Sequence, residues 1–188
     1  MLVYIEEFRK YAIITGFRGV KIRNKDDFLK KMRKGKQSDV ETQFFNARSV
    51  ATWQHLYFAL LNALTAFKNG ENISKSLVME TMIYASAQRQ IRKAVEFIGI
   101  DTDTSEIALL MVGDHSETLK SALSMISMNI NRKNSDAVLE LSEEKKRIIR
   151  EKFGISDLEL KTIMKRNNLE EALTNLIIER MALLATQR

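Results

Sequence analysis

The chain has 188 residues, 45% hydrophobic and 29% charged, the make-up of an ordinary globular protein long enough to bury a core, and a single domain spanning 1–188 is expected. It has no cysteine, which excludes disulfides and thiolate metal sites, and His55 and His115 lie too far apart to signal a metal centre, so no metal and no cofactor are expected. The net charge of +6 is local: nine basic and two acidic residues lie between Arg18 and Lys36, leaving −1 for the rest, a pattern that fits either a patch for a polyanion or a solvated helix face.

The opening MLVYIEEFRK shows no basic leader followed by an apolar stretch, so no signal peptide is expected and the cytoplasm is the expected compartment. Residues 2–5 and 11–17 (YAIITGF) read as strands, rich in branched and aromatic side chains and bounded by glycine. Residues 26–34 read as a short helix begun by Asp26 or Asn24 and stopped by Gly35. Phe28, Leu29 and Met32 share its inner face, which leaves Lys30, Lys31, Arg33 and Lys34 toward solvent. A strand around Thr42–Ala47 follows.

The run Ser49–Phe67 carries no formal charge, yet Thr52, Gln54, His55, Asn62 and Thr65 interrupt it, so a buried core helix over Thr52–Asn69 fits better than a membrane span. Its polar residues, His55 among them, are expected along one narrow edge, and Gly70 ends it. The next helix is expected to start at Ser74 as N-cap, with Ile73 and Val78 as a hydrophobic staple. A turn at Ser86–Gln88 leads into Gln90–Ile98, for which Gly99 is the expected left-handed stop.

Residues 106–112 (EIALLMV) form the last strand, and helices follow over 115–131, 142–153, 157–165 and 169–185. The expected fold class is α/β in the α+β sense: a small, largely antiparallel sheet of three to four strands against a helical layer, with a helical C-terminal third.

No catalytic constellation is visible. Ser116, His115 and Asp114 are only sequence neighbours, Asp114 suits a helix cap, and no phosphate-binding loop, dinucleotide fingerprint or metal-binding helix motif occurs, so no enzymatic activity is expected. Glu80 lies among apolar residues and needs a partner if buried. Arg89, Arg92, Lys75 and helix amides are the candidates, and a groove-lining role beside a ligand is the alternative.

Arg89, Arg92 and Lys93 open a helix whose inner face is expected to be Ile91, Ala94 and Val95, and guanidinium groups beside helix amides suit phosphate. Trp53, Tyr57, Phe58 and Tyr84 are candidate stacking surfaces for single-stranded RNA, or simply core. In the last helix, Leu169, Ala172, Leu173, Leu176, Ile177, Leu183 and Leu184 form the expected core stripe. Ile178, Met181 and Ala185 lie off it, an apolar patch either for a protein partner or for neighbouring helices of the same chain. Arg180 falls within the stripe and must snorkel or pair. A helix–turn–helix over Ile155–Ala185 would be poorly charged for a DNA groove, so no DNA partner is expected.

The stretch NARSVATWQHLYFALLNALTAFKNGENISKSLVMETMIYASAQRQIRKAVEFIGID resembles the TPRKB family, the kinase-binding subunits of the KEOPS (EKC) complex. The resemblance rests on the uncharged helix Leu56–Phe67, the link Lys68–Ser74, Glu80, Gln90–Ile91 and Phe97–Ile100. Ile107–Val112 and the C-terminal LEEALTNLIIERMALL fit as well, whereas the basic 18–40 region exceeds the family pattern.

The resemblance implies a non-catalytic role in threonylcarbamoylation of the adenosine beside the anticodon of tRNA. The partners it implies are the small atypical kinase/ATPase subunit and the tRNA 3′ CCA end. On that reading Lys75, Arg89, Arg92 and Lys93 contact the RNA, while Lys30, Lys31, Arg33 and Lys34 add attraction. Ile178, Met181 and Ala185 dock the kinase, and no membrane is involved. A protein-only regulator of the kinase is the alternative.

Overall fold

A computed structural model describes residues 1–33, 39–164 and 168–186, apart from the side chains of Arg33 and Ala185. The elements are β1 (Leu2–Ile5), β2 (Lys10–Phe17), α1 (Lys25–Arg33), β3 (Val40–Asn46), α2 (Trp53–Asn69), α3 (Leu77–Ser86), α4 (Ile91–Ile98), β4 (Ile107–Gly113), α5 (Ser116–Ile130), α6 (Glu143–Phe153), α7 (Asp157–Ile163) and α8 (Leu169–Thr186). The four strands form one fully antiparallel sheet in the order β1-β2-β4-β3, and among the described residues helices alone follow β4, so the fold is α+β. The chain divides into two compact units: Met1–Ala47 with Gly99–Val138, and Arg48–Ile98 with Leu139–Arg188.

The first unit is the sheet with α1 and α5. Strand periodicity puts Ile13 and Phe17 of β2, Phe44 of β3 and Ile107, Leu109 and Met111 of β4 into one core with Leu119, Ala122 and Ile126 of α5 and Met32 of α1. Each large side chain so removed from water stabilises the unit by about 1.5–3 kcal/mol. β4 pairs on both edges and is buried at all seven positions, which explains its unbroken apolar run. Gly16 is required by space: a Cβ there would stand 2.0 Å from Val138 Cγ2 and 2.4 Å from the carbonyl oxygen of Ile107.

α1 begins where the sequence expects. The Asn24 side chain accepts from the Asp27 amide at 3.0 Å. The expected stop at Gly35 lies outside the described residues, as does Lys34. Asp114 does not cap α5; it pairs with Lys10 at 2.5 Å, and the N-cap position falls to His115.

The second unit is helical. α8 packs against α2, α3, α6 and α7, and its core joins Leu173, Leu176 and Ile177 to Ile149, Phe153 and Leu160. α2 runs to the left-handed Gly70, as its sequence predicts, and no helix among the described residues is long and apolar enough to cross a membrane. Ser142 and Ser156 cap α6 and α7, the latter in a capping box with Glu159, and the left-handed Gly154 ends α6. Gly99 differs from expectation. The left-handed glycines among the described residues are Gly19, Gly70 and Gly154, so α4 ends without that device.

Candidate nucleic-acid interface

The segment from Lys75 to Lys93 is organised by a carboxylate. α3 starts at Leu77 with Ser76 as N-cap, two residues later than the sequence suggests, and Ile73 is exposed rather than stapled. The reason is Glu80: fully buried, it accepts from the Ser74 amide at 2.6 Å and from the Ile73 amide at 3.0 Å, which holds the approach loop open in front of the helix. Its partners are backbone donors, not Arg89, Arg92 or Lys75. A buried carboxylate satisfied in this way is a clamp on the loop.

At the other end of α3, Ala87 adopts φ 51°, and its amide and that of Gln88 return to the carbonyls of Tyr84 and Ile83. A non-glycine residue in the left-handed region turns the chain sharply, and it presents Gln88 through Lys93 as a ledge. Arg89, Arg92 and Lys93 are all exposed on that ledge, and Lys75 is exposed on the loop before α3. Arg92 pairs with Glu96 one turn on at 2.8 Å; Arg89, Lys93 and Lys75 have no acidic partner among the described residues. Ala94 is buried and Val95 half-buried, as expected, whereas Ile91 is 42% exposed and adds an apolar spot to the ledge.

Beside this turn lies a small cleft of about 210 Å³, lined by Ser86, Ala87, Gln88, Phe97, Lys152 and Leu183 among others. Lys152 donates to the carbonyl of Phe97 at 2.7 Å and sits 5.3 Å from that ring's centre, so its charge belongs to the cleft wall. The side-chain amide of Gln88 has no protein partner among the described residues and is available to a ligand. Sequence reasoning missed Gln88, Phe97 and Lys152 because the turn after α3, α4 and α6 bring them together. The Ser-Ala-Gln turn was the one readable sign.

The eight expected RNA-contacting residues fall in different units. Lys75, Arg89, Arg92 and Lys93 belong to the helical unit, and Lys30, Lys31 and Arg33 to the sheet unit, with the Arg33 side chain and all of Lys34 outside the described residues. Lys30 is exposed; Lys31 donates to the Asn129 carbonyl at 2.6 Å. Tyr84 is buried in the core, while Trp53 and Phe58 are 36% and 37% exposed and flank Tyr57 on α2.

The expected apolar patch of α8 is corrected. Met181 is wholly buried and Ile178 half-buried, with the Ala185 side chain outside the described residues. At about 100° per residue Met181 stands only about 40° from Ile177, and with helices packed around α8 the stripe widens to include it. Leu183, expected in the core, is 48% exposed because it lines the cleft. Arg180 pairs: its Nε donates to the Phe153 carbonyl at 2.9 Å, and its Nη2 donates to the Gly154 carbonyl and to Glu159.

His55 also departs from expectation. It is completely buried rather than on a polar edge. It accepts from the Ala51 amide through Nδ1 at 3.1 Å, and its Nε2 donates to the Ala85 carbonyl at 2.7 Å. Burial holds its pKa down to about 4, so the ring is neutral and structural.

Similarity carries the remainder. The profile of the family described as Kinase binding protein CGI-121 matches residues 17–185. The Regulatory protein Cgi121 of Methanocaldococcus jannaschii is 34% identical over 143 residues, which is 76% of this chain and 84% of that protein. With the uncharged Leu56–Phe67 of α2, the clamped Glu80 and the Gln-Ile ledge at the places the resemblance rested on, the chain belongs to the CGI-121 (TPRKB) family.

Proposed function

We propose that this chain is a non-catalytic regulatory subunit that binds a small atypical kinase/ATPase and holds tRNA by its single-stranded 3′ CCA end, within the cytoplasmic KEOPS complex that threonylcarbamoylates tRNA. The family's description as kinase binding and the relative's as regulatory support the first half. The observation that carries the second half is the ledge, where exposed Arg89, Arg92 and Lys93 adjoin a cleft with an unused amide and an aromatic wall. Cations for the phosphates, a ring for stacking and an amide for a base edge are what recognition of an unpaired terminus requires. Lys75 extends the positive track, and Lys30, Lys31, Arg33 and Lys34 add longer-range attraction.

With Met181 buried, the kinase-docking role passes in this reading to Trp53 and Phe58, because half-exposed aromatics are the side chains that anchor protein interfaces. Trp53→Glu with Phe58→Glu should abolish co-purification with the kinase while leaving the subunit folded. Intact pairing would remove that face from consideration.

The deciding experiment is tRNA binding with and without the CCA end. Removal of CCA should sharply weaken binding, and Arg89→Glu with Arg92→Glu should do the same to intact tRNA. Log affinity should fall with log salt by roughly 0.7 for each phosphate neutralised on a single strand. Equal affinity for both tRNAs would put the RNA contact away from the CCA end, and none for either leaves a regulator that acts on the kinase through protein contacts alone.

A further inference from the structure

The sheet unit holds a second concentration of positive charge, and it is built differently from the ledge. Gly19, in the left-handed region, and the segment Val20–Asn24 lead from β2 into α1; the left-handed Asn131 ends α5 and turns Arg132 back toward them. Between the two lies a cleft of about 390 Å³, within the roughly 300–1,000 Å³ that small-molecule sites occupy.

Four cations line this cleft, Lys21, Arg23, Lys31 and Arg132, against a single carboxylate, Asp27. Elsewhere Arg18, Arg92, Arg150 and Arg180 are each matched by a carboxylate. Here none of the four has an acidic partner among the described residues. Two are positioned by backbone: Lys31 donates to the Asn129 carbonyl at 2.6 Å, and Arg132 to the Asn131 carbonyl at 2.8 Å. These bonds fix where the heads sit and leave their charges uncompensated, so an arriving anion meets groups already in place.

The floor is apolar. Val20 and Met32 are buried, and Phe28 and Ile130 partly so, with Phe28 held edge-on to Phe44 at 5.7 Å between centres. The cleft therefore has a charged rim for phosphate and an apolar bed for a ring system, with the side-chain amides of Asn24 and Asn131 at its edge. A bare phosphate would leave the floor wet, and a purely apolar ligand would strand the cations.

We infer that this cleft binds a nucleotide, its phosphate held by Lys21, Arg23 and Arg132 and its base laid over Phe28 and Ile130. The nucleotide arrives either as a unit of a single-stranded RNA or free in solution. The basic 18–36 segment is then more than diffuse attraction. The site lies wholly within the sheet unit, so it stands or falls independently of the ledge.

The test is titration of the isotope-labelled full chain, followed by amide NMR, with adenosine monophosphate, inorganic phosphate and an octa-adenylate strand. At millimolar concentration the monophosphate should shift amides in 19–24, 28–32 and 129–132. Lys21→Ala with Arg132→Ala, both exposed positions, should abolish those shifts, and Asp27→Asn should strengthen binding several-fold, a gain that structural damage does not produce. Arg89→Glu with Arg92→Glu should leave the shifts intact even if tRNA binding is lost. Octa-adenylate binding about tenfold or more tighter than the monophosphate identifies the strand as the source, because each added phosphate contact releases counterions; equal affinity identifies the free nucleotide. Silent cleft amides, shifts reproduced in full by inorganic phosphate, or shifts that survive Lys21→Ala with Arg132→Ala overturn the inference.

Discussion

His55 Nε2 on α2 stands 2.7 Å from the carbonyl oxygen of Ala85 near the end of α3, while its Nδ1 takes the amide hydrogen of Ala51. This pairing defines the neutral tautomer, because a second proton would displace the Ala51 donor. Burial is the largest cause of the low pKa, about 4 against 6.5; the bond to Ala85 opposes it and Lys145 adds to it.

Stability should follow from that shift. Above pH 6.5 His55 is neutral folded and unfolded alike, and its contribution is complete. As pH falls from 6.5 toward 4 the unfolded chain takes up a proton that the folded chain refuses, and the loss grows to roughly 3 kcal/mol. Urea midpoints measured across this window should drop for the native chain. His55→Leu should start lower and show a much flatter profile there.

Glu80 should matter for stability rather than for charge at the ledge. Glu80→Ala leaves the buried Ser74 amide and the Ile73 amide without an acceptor, and should cost about 2–4 kcal/mol by chemical denaturation. Arg89→Ala and Lys75→Ala should stay within about 0.5 kcal/mol of the native chain, because neither pairs with Glu80. A large loss on Arg89→Ala would show the carboxylate answering to a cation after all.

Arg180 joins three places at once. Its guanidinium satisfies the last carbonyls of α6 and meets Glu159, whose carboxyl is held down at about 2, chiefly by the Ser156 amide and hydroxyl and then by Arg180. This contribution is present above pH 4.5 and is lost as pH falls toward 2. Arg180→Met should destabilise the chain by about 1–2 kcal/mol at neutral pH, read from the thermal or urea midpoint. The depressed titration of Glu159, followed by carboxyl NMR, should move up only in part, since Ser156 remains.

Glu96 restrains one of the ledge cations. The Arg92–Glu96 pair is exposed, so Glu96→Gln should change stability by no more than about 0.5 kcal/mol. It should tighten tRNA binding, because the guanidinium is released and a repelling carboxylate removed. Unchanged or weaker binding would place the RNA elsewhere.

Most elements could be read because their signals are local. Alternation and branching marked the strands, the uncharged run marked α2, and Ser142 and Gly154 bracketed α6. The misplacements share one cause. Ser74 has the chemistry of a cap, yet Glu80, a turn and a half away, holds its amide in the approach loop and its hydroxyl accepts from the Ser76 amide, so Ser76 caps α3. Asp114 suited a cap as well, but Lys10, distant in sequence, reached it first. Propensity ranks the candidates, and long-range partners choose among them.

The order of apolar, polar and turn-forming residues determined by itself that this would be an antiparallel sheet with a helical tail, carrying a local excess of positive charge. Periodicity and capping act over a few residues, so a linear string contains them. Tertiary packing alone decided that Met181 is hidden and Leu183 open, that His55 is a neutral brace, and that Lys21, Arg23 and Arg132 meet around one cleft. Burial and electrostatic fields are sums over neighbours far apart in the chain, and those neighbours exist only once it has folded.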